Sequence, residues 1–337
     1  MINIGIIGLG FMGTMHLKNY MKNNKSKVVA LCDLNEKRIS GEEFASGNIE
    51  IKDDERIDFS RFKQYKNIDD IILDKDIDVI DICLPTNMNA DVAIKAMEAD
   101  KNVLCEKPMA LTVEEGSNML KTAKDKKVTL MIAHCLRFWP EYVYLTQITQ
   151  NKGLGRLHSL FLSRLVSYPL YSYENWLLDE KSIGTILIHH IHDVDYLVSL
   201  FGKPKSLTSQ GVYEKGKGYL HVVTQYFYDH IPVVTAVGGW MMPATFGFNM
   251  GYTAIFEKGT LIYDSSATPT LIKLTDKEKS KIDGLPSGDG YSREIDYFLD
   301  CISKGNEPNM CTPESALGSL EVVYDEINYI KGIKYDE

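Results

Sequence analysis

Apolar residues fall along this chain in two rhythms. Up to about residue 133, short runs rich in Ile and Val at 2–7, 28–32, 78–84, 102–105 and 128–133 alternate with stretches of helical period. Within 89–99, Ala90, Ala93, Ile94 and Met97 recur at i, i+3, i+4 and i+7 and mark one face of a helix. Another helix opens on Thr112 and Glu115, the spacing of a reciprocal cap, and turns Gly116, Met119, Leu120 and Ala123 inward. Runs that are apolar throughout suit strands covered on both faces, and alternation with helices makes such strands parallel. Residues 47–61 break the rhythm and read as a surface excursion.

Beyond about residue 150 strands dominate, at 157–166, 222–228, 233–239, 252–256 and 260–263. Glu257-Lys258-Gly259 and Asp229-His230 supply tight turns between antiparallel neighbours. Two helical patterns close the chain. One carries Ile295, Phe298, Leu299 and Ile302; the other starts at Thr312-Pro313 and carries Leu317, Leu320, Tyr324 and Ile327. The expected fold is α/β, a dinucleotide-binding domain over 1–133 followed by an α+β domain over 134–337.

A length of 337 residues supports two such domains. The net charge of −9 argues against a nucleic-acid backbone or an anionic membrane surface as partner. No window reaches the ~18 consecutive apolar residues of a membrane span. Cys32, Cys83, Cys105, Cys135, Cys301 and Cys311 form no paired framework, so reduced, buried thiols and a cytoplasmic setting are expected.

Three motifs carry chemistry. Gly8-Leu9-Gly10-Phe11-Met12-Gly13 follows one strand and opens a helix, and a second strand ends in Asp33. Gly8 permits a tight turn, Gly10 lets backbone approach a pyrophosphate, and Gly13 lets helix pack close to strand. Asp33 can accept hydrogen bonds from an adenosine ribose and would repel a 2′-phosphate, which favours NAD over NADP. The neighbouring Lys37 and Arg38 read as a solvated helix start.

Cys105-Glu106-Lys107-Pro108 comes next, at the carboxyl end of a parallel strand, where open α/β sheets place ligands. Pro108 restricts Lys107 to extended geometry, and a lysine held there can stabilise an alkoxide as hydride leaves carbon. A plain surface Glu-Lys pair is the alternative. The third motif spans 184–195, with His189, His190 and His192 close together and Asp193 and Asp195 beside them. On a helix His189, His192 and Asp193 share a face, which suits a metal, a general base oriented by a carboxylate, or solvated surface histidines.

Taken together, Gly8–Gly13, the Cys105–Pro108 tetrapeptide and Ile191-His192-Asp193-Val194-Asp195 resemble, in order and spacing, the glucose-fructose oxidoreductase and inositol dehydrogenase (Gfo/Idh/MocA) family. Ala133 to Pro140, Glu257-Lys258-Gly259-Thr260 and Tyr291 to Ile295 extend the likeness over essentially the whole chain. The resemblance implies an NAD(P)-dependent oxidoreductase of a sugar, cyclitol or related polyol. It also implies a second domain with a large, mostly antiparallel sheet whose open face makes homodimers or homotetramers. By position it makes Lys107 and His192 catalytic. Gly8, Gly10, Phe11, Met12, Gly13 and Asp33 then bind the cofactor. Leu84, Pro85, Thr86, Asn87 and Glu106 line the nicotinamide-ribose end beside Lys107.

Arg137, Trp139, His189 and Asp193 are candidate substrate contacts, and no metal is implied. Two positions depart from the family pattern. Ile188 stands where many polyol dehydrogenases carry an Asp, which leaves Asp193 or Asp195 to orient His192, and Asn89 stands where a turn histidine is common. A non-catalytic dinucleotide sensor of the same fold, and a metal-dependent hydrolase using His189, His192 and Asp193, are the rival classes.

Overall fold

A computed structural model describes residues 1–44, 57–169, 177, 184 and 186–332. The chain forms two compact units, Met1–Cys135 with Gly290–Leu317 and Leu136–Asp289 with Gly318–Glu337. In the first, β1 (Ile2–Ile7), α1 (Phe11–Lys22), β2 (Ser26–Cys32), α2 (Glu36–Ile39), β3 (Lys63–Tyr65), α3 (Ile68–Ile72), β4 (Val79–Ile82), α4 (Thr86–Glu98), β5 (Asn102–Glu106), α5 (Val113–Lys126) and β6 (Leu130–Ala133) follow in turn. The six strands make one parallel sheet in the order β3-β2-β1-β4-β5-β6. The order reverses between β1 and β4, and that switch point is where such sheets bind ligands. Ile4, Ile6, Val79, Ile80, Val103 and Leu104 are fully buried, as strands covered on both faces require.

The reciprocal cap of α5 is present, with Glu115 N–H donating to Thr112 Oγ1 at 3.1 Å and Thr112 N–H to Glu115 Oε2 at 3.0 Å. Such a cap contributes about 1 kcal/mol. Of its inward positions, Gly116, Met119 and Ala123 are buried and Leu120 is half-buried. The expected excursion at 47–61 lies mostly in 45–56, outside the described residues; its last part is one 3-10 turn that buries Phe59.

The second unit contains α6 (Pro140–Gln150), β7 (Leu157–Ser167), a π turn (Ile186–His190) running into α7 (Ile191–Phe201), and then seven strands. These are β8 (Ser206–Glu214), β9 (Gly218–Phe227), β10 (Val233–Met242), β11 (Phe248–Phe256), β12 (Gly259–Asp264), β13 (Leu271–Leu274) and β14 (Lys279–Lys281). Their sheet runs β14-β13-β12-β11-β7-β10-β9-β8, antiparallel except where β7 pairs with β10. Even-numbered side chains of β7 such as Leu160, Leu162 and Val166 are buried, and Phe161 points the other way, 41% exposed. One core cluster joins Val166, Leu177, Ile188, Leu220 and Trp240. A second gathers Tyr196, Tyr252 and Tyr263 edge-on around Tyr142, with centroids 4.8, 5.4 and 5.6 Å away.

The chain ends with α8 (Gly290–Lys304) and α9 (Pro313–Gly332). A single cut at 133 would assign α8 to the second domain; by packing, residues 290–317 belong with the first. The buried face of α8, Ile295, Phe298 and Leu299, explains this, because it covers α1. Lys25 adds ion pairs to Asp296 at 2.7 Å and Asp300 at 2.6 Å.

Candidate active site

The glycine loop between β1 and α1 is built by close approach. Gly8 has φ +91°, and a Cβ there would lie 2.4 Å from the carbonyl oxygen of Cys83, at the end of β4. A Cβ on Gly13 would lie 1.8 Å from Gly8 O, so only glycine lets α1 sit this near β1. Gly10 is different. Its φ of −65° suits any residue, and a Cβ there meets nothing within 4 Å. Among the described residues no contact requires glycine at this position; an outside ligand pressing on the backbone would.

Gly10 is also the N-cap of α1 and provides no side-chain cap. The N–H groups of Phe11, Met12 and Gly13 therefore keep the anion-binding character of a helix start. Beside the loop, Asp33 accepts Leu9 N–H at 2.6 Å and Asn35 N–H at 2.7 Å. Its carboxylate is fixed against the loop yet half-buried, a fit for an adenosine ribose. The loop and Asp33 thus meet the demands of a dinucleotide. Across the switch point, Leu84 and Pro85 are half-buried, Thr86 is buried and Asn87 is exposed at the head of α4.

At the end of β5 lies the Glu106-Lys107 corner, whose Lys107–Pro108 bond is cis. Lys107 is half-buried, and Glu106 is buried. Glu106 Oε2 accepts Lys107 N–H at 3.0 Å. The fully buried Asn89 donates through Nδ2 to Glu106 O at 3.1 Å and Pro108 O at 2.9 Å, holding the backbone on both sides of the lysine. Behind Glu106 stand His16 and Asp81, both fully buried, with Nδ1 and Oδ2 2.8 Å apart. Burial alone would lower the His16 imidazole, but Asp81 and Cys83 beside it together outweigh that and carry it well above its usual value.

In the second unit His189 lies in the π turn, which ends at His190, and His192 and Asp193 lie in the first turn of α7. His189 bonds Arg164 O through Nε2 at 3.2 Å and stacks on Trp240, with centroids 6.1 Å apart. His190 is fully buried, 3.1 Å from Tyr226 Oη and 3.3 Å from Glu326 Oε1. His192 alone of the three is half-buried.

Asp193, taken from sequence as a substrate contact, is fully buried with Oδ2 2.8 Å from Arg164 Nε. Arg137 is likewise engaged inside the unit, its Nε and Nη2 gripping Asp195 at 2.8 and 2.6 Å, with Ser319 on the same carboxylate at 2.9 Å. His189 Nε2 and Asp193 Oδ2 thus both engage Arg164. Trp139 is half-buried as the N-cap of α6.

Reasoning from sequence missed His16, Asp81 and Arg164. The one signal is Asp81, a carboxylate in an otherwise apolar run, since a buried charge demands a partner.

Residues 2–134 match the oxidoreductase family described as having an NAD-binding Rossmann fold. An uncharacterized oxidoreductase of Bacillus subtilis is 27% identical over 328 residues, covering 93% of this chain and 89% of that protein. The myo-inositol 2-dehydrogenase of Thermotoga maritima is 26% identical over 308 residues, 89% of this chain and 83% of that one. Among solved structures, an oxidoreductase from Agrobacterium radiobacter in complex with NAD+, L-tartaric acid and magnesium aligns with a TM-score of 0.82 at 16% identity, covering 98% of this chain and 96% of that one.

Proposed function

We propose that the chain, whose residues 2–134 match the Gfo/Idh/MocA oxidoreductase family, is an NAD-dependent dehydrogenase or reductase of a sugar, cyclitol or related polyol, acting on a CH–OH group or the matching ketone. The observation that carries this reading is Gly10, a glycine with ordinary backbone angles and open space over it, at the uncapped start of α1 and beside the fixed carboxylate of Asp33. Asp33 favours NAD, because a 2′-phosphate would meet its charge. Leu84 to Asn87 and Glu106 would line the nicotinamide-ribose end. When bound, the nicotinamide supplies the hydride acceptor or donor.

His192 takes the proton of the substrate hydroxyl in this proposal, and the Lys107 ammonium stabilises the alkoxide that develops. The half-exposure of both side chains supports these roles, as does the fixed backbone around Lys107. The polyol class is supported by relatives named myo-inositol 2-dehydrogenase and levoglucosan dehydrogenase. Trp139 and His189 remain the substrate-side candidates, whereas Arg137 and Asp193 serve through their ion pairs.

Among the described residues no helix is long and apolar enough to cross a membrane, and six cysteines outside any disulfide suit the reducing cytoplasm we propose. Phe161, Val223, Phe227 and Ile255 share one face of the eight-stranded sheet, each 38% or more exposed, and a second copy of this chain is the partner we propose for it.

The deciding experiment follows nicotinamide absorbance with NAD+ and NADP+ against inositols, sugars and sugar acids, and with NADH against keto-sugars. Turnover of a polyol that drops at least a hundredfold in Lys107→Ala and His192→Ala is the expected result. Tight NAD+ binding with no turnover on any of them would favour the sensor class instead.

A further inference from the structure

We propose that His16 is a positioning residue, a buried imidazolium strut that pairs with Glu106 and so fixes the backbone corner bearing Lys107. The inference rests on the reading of Lys107 as the group that serves the reacting hydroxyl.

The strut follows from two carboxylates. Asp81 sits in the middle of β4, paired in register with Ile6 of β1 and Leu104 of β5, and is fully buried. A lone carboxylate there would be costly, and the nearest cation is His16 of α1, Nδ1 to Oδ2 at 2.8 Å. At the other ring nitrogen, Nε2, stands Glu106 Oε1, at the ion-pair distance of 3.4 Å. Carboxylates accept and do not donate, so an imidazole facing one at each nitrogen is served only when both nitrogens carry protons.

The remaining titratable groups nearby are Tyr20 on α1, Cys83 after β4, Cys105 on β5 and Glu294 on α8, the last facing Tyr20. Burial first, then Asp81, pushes up the Tyr20 phenol and the Cys83 thiol; burial first, then Glu106, pushes up Cys105. The His16 ring is the group that stands between the two carboxylates, Asp81 at Nδ1 and Glu106 at Nε2.

The link to Lys107 is direct. The carboxylate that meets His16 through Oε1 accepts Lys107 N–H through Oε2, 3.0 Å away. Asn89 holds the carbonyls of Glu106 and Pro108. Remove the charge on His16, and Glu106 loses the partner that turns its carboxylate toward the lysine amide.

Nitrogen-15 NMR of the whole protein without cofactor tests this, with His16 signals identified by their loss in His16→Gln. Both ring nitrogens should be protonated near pH 8, where an ordinary histidine is neutral; a neutral ring at that pH overturns the proposal. In His16→Gln, hydrogen exchange at the Lys107 amide should quicken roughly tenfold or more, as for loss of about one net hydrogen bond, with amides of β2 and β6 unchanged. An unchanged Lys107 amide overturns the positioning role.

Should His16→Gln fail to fold, Glu106→Gln reads the strut from its other side. Its Lys107 amide should quicken likewise, and His16 should lose its proton at lower pH than in the parent; no change in either counts against the strut. Full turnover in Lys107→Ala would remove the lysine's catalytic role and leave these signals untouched, so the two failures are distinguishable.

Discussion

Gly10→Ala isolates the contact between backbone and cofactor from the packing of the protein itself. The substitution adds one methyl where nothing lies within 4 Å, on a residue whose φ of −65° and ψ of −166° alanine adopts freely. The folded apo protein should accept it, and the stiffer unfolded chain should leave stability unchanged or raised by up to about 1 kcal/mol. A pyrophosphate drawn onto the first turn of α1 would meet that methyl. Losing one charge-assisted hydrogen bond costs about 1.5–3 kcal/mol, so NAD+ should bind roughly 10- to 150-fold more weakly.

Gly13→Ala is the contrasting variant. Its Cβ would start 1.8 Å from Gly8 O, backbone against backbone, and α1 must move away by more than an ångström. Overpacking of that kind destabilises by about 1–3 kcal/mol or more even before ligand is added. Thermal unfolding of both apo variants and calorimetric titration with NAD+ separate the two effects. Wild-type NAD+ affinity in Gly10→Ala would refute the placement of the pyrophosphate there, and an unfolded Gly10→Ala would refute the open space.

Asp33→Asn keeps the size of the side chain but removes the charge beside the glycine loop, so the preference for NAD+ over NADP+ should fall roughly tenfold or more on titration with each; an unchanged ratio would dissociate Asp33 from cofactor choice. Asp195→Asn leaves the buried guanidinium of Arg137 facing a neutral amide and should lower stability by about 3–5 kcal/mol in denaturant unfolding, whereas a loss under about 1 kcal/mol would mean the pair contributes little. His16 has its proton affinity raised by folding, so its stabilisation is complete below its ordinary value of 6.5 and is lost as pH climbs through the higher folded value. The stability gap between the parent and His16→Gln should therefore shrink as pH rises above about 6.5 toward the raised folded value, and a gap that widens would contradict the charge assignment.

In the first unit the strands most plainly legible in sequence are those whose residues are nearly all buried. Val79 to Ile82 and Val103 to Cys105 stand out because both faces of the parallel sheet are covered. β3 is three residues long and mostly exposed, and β8 is a polar edge strand, so neither carries an apolar signature. Helix α8 is visible from its spacing, but spacing does not say which unit a buried face will cover. In the same way, Gly8, Gly13 and Asp33 announce themselves through local turn chemistry. His16 and Asp81 lie far apart in sequence and meet only because β1 and β4 are neighbours. The π turn that carries His189 is marked by no short-range pattern in the chain.

Helix α8 also bears on how the chain comes off the ribosome. Every strand of the parallel sheet has been made by residue 133, yet the helix that covers α1 and pairs Lys25 with Asp296 and Asp300 begins only at Gly290, roughly 160 residues later. At ordinary elongation rates the delay is roughly ten to thirty seconds, during which the nascent first unit presents a bare apolar helix face. That interval is when chaperone contact or mispairing with a neighbouring nascent chain has its opening, and a chain truncated soon after residue 135 would stay in that state permanently.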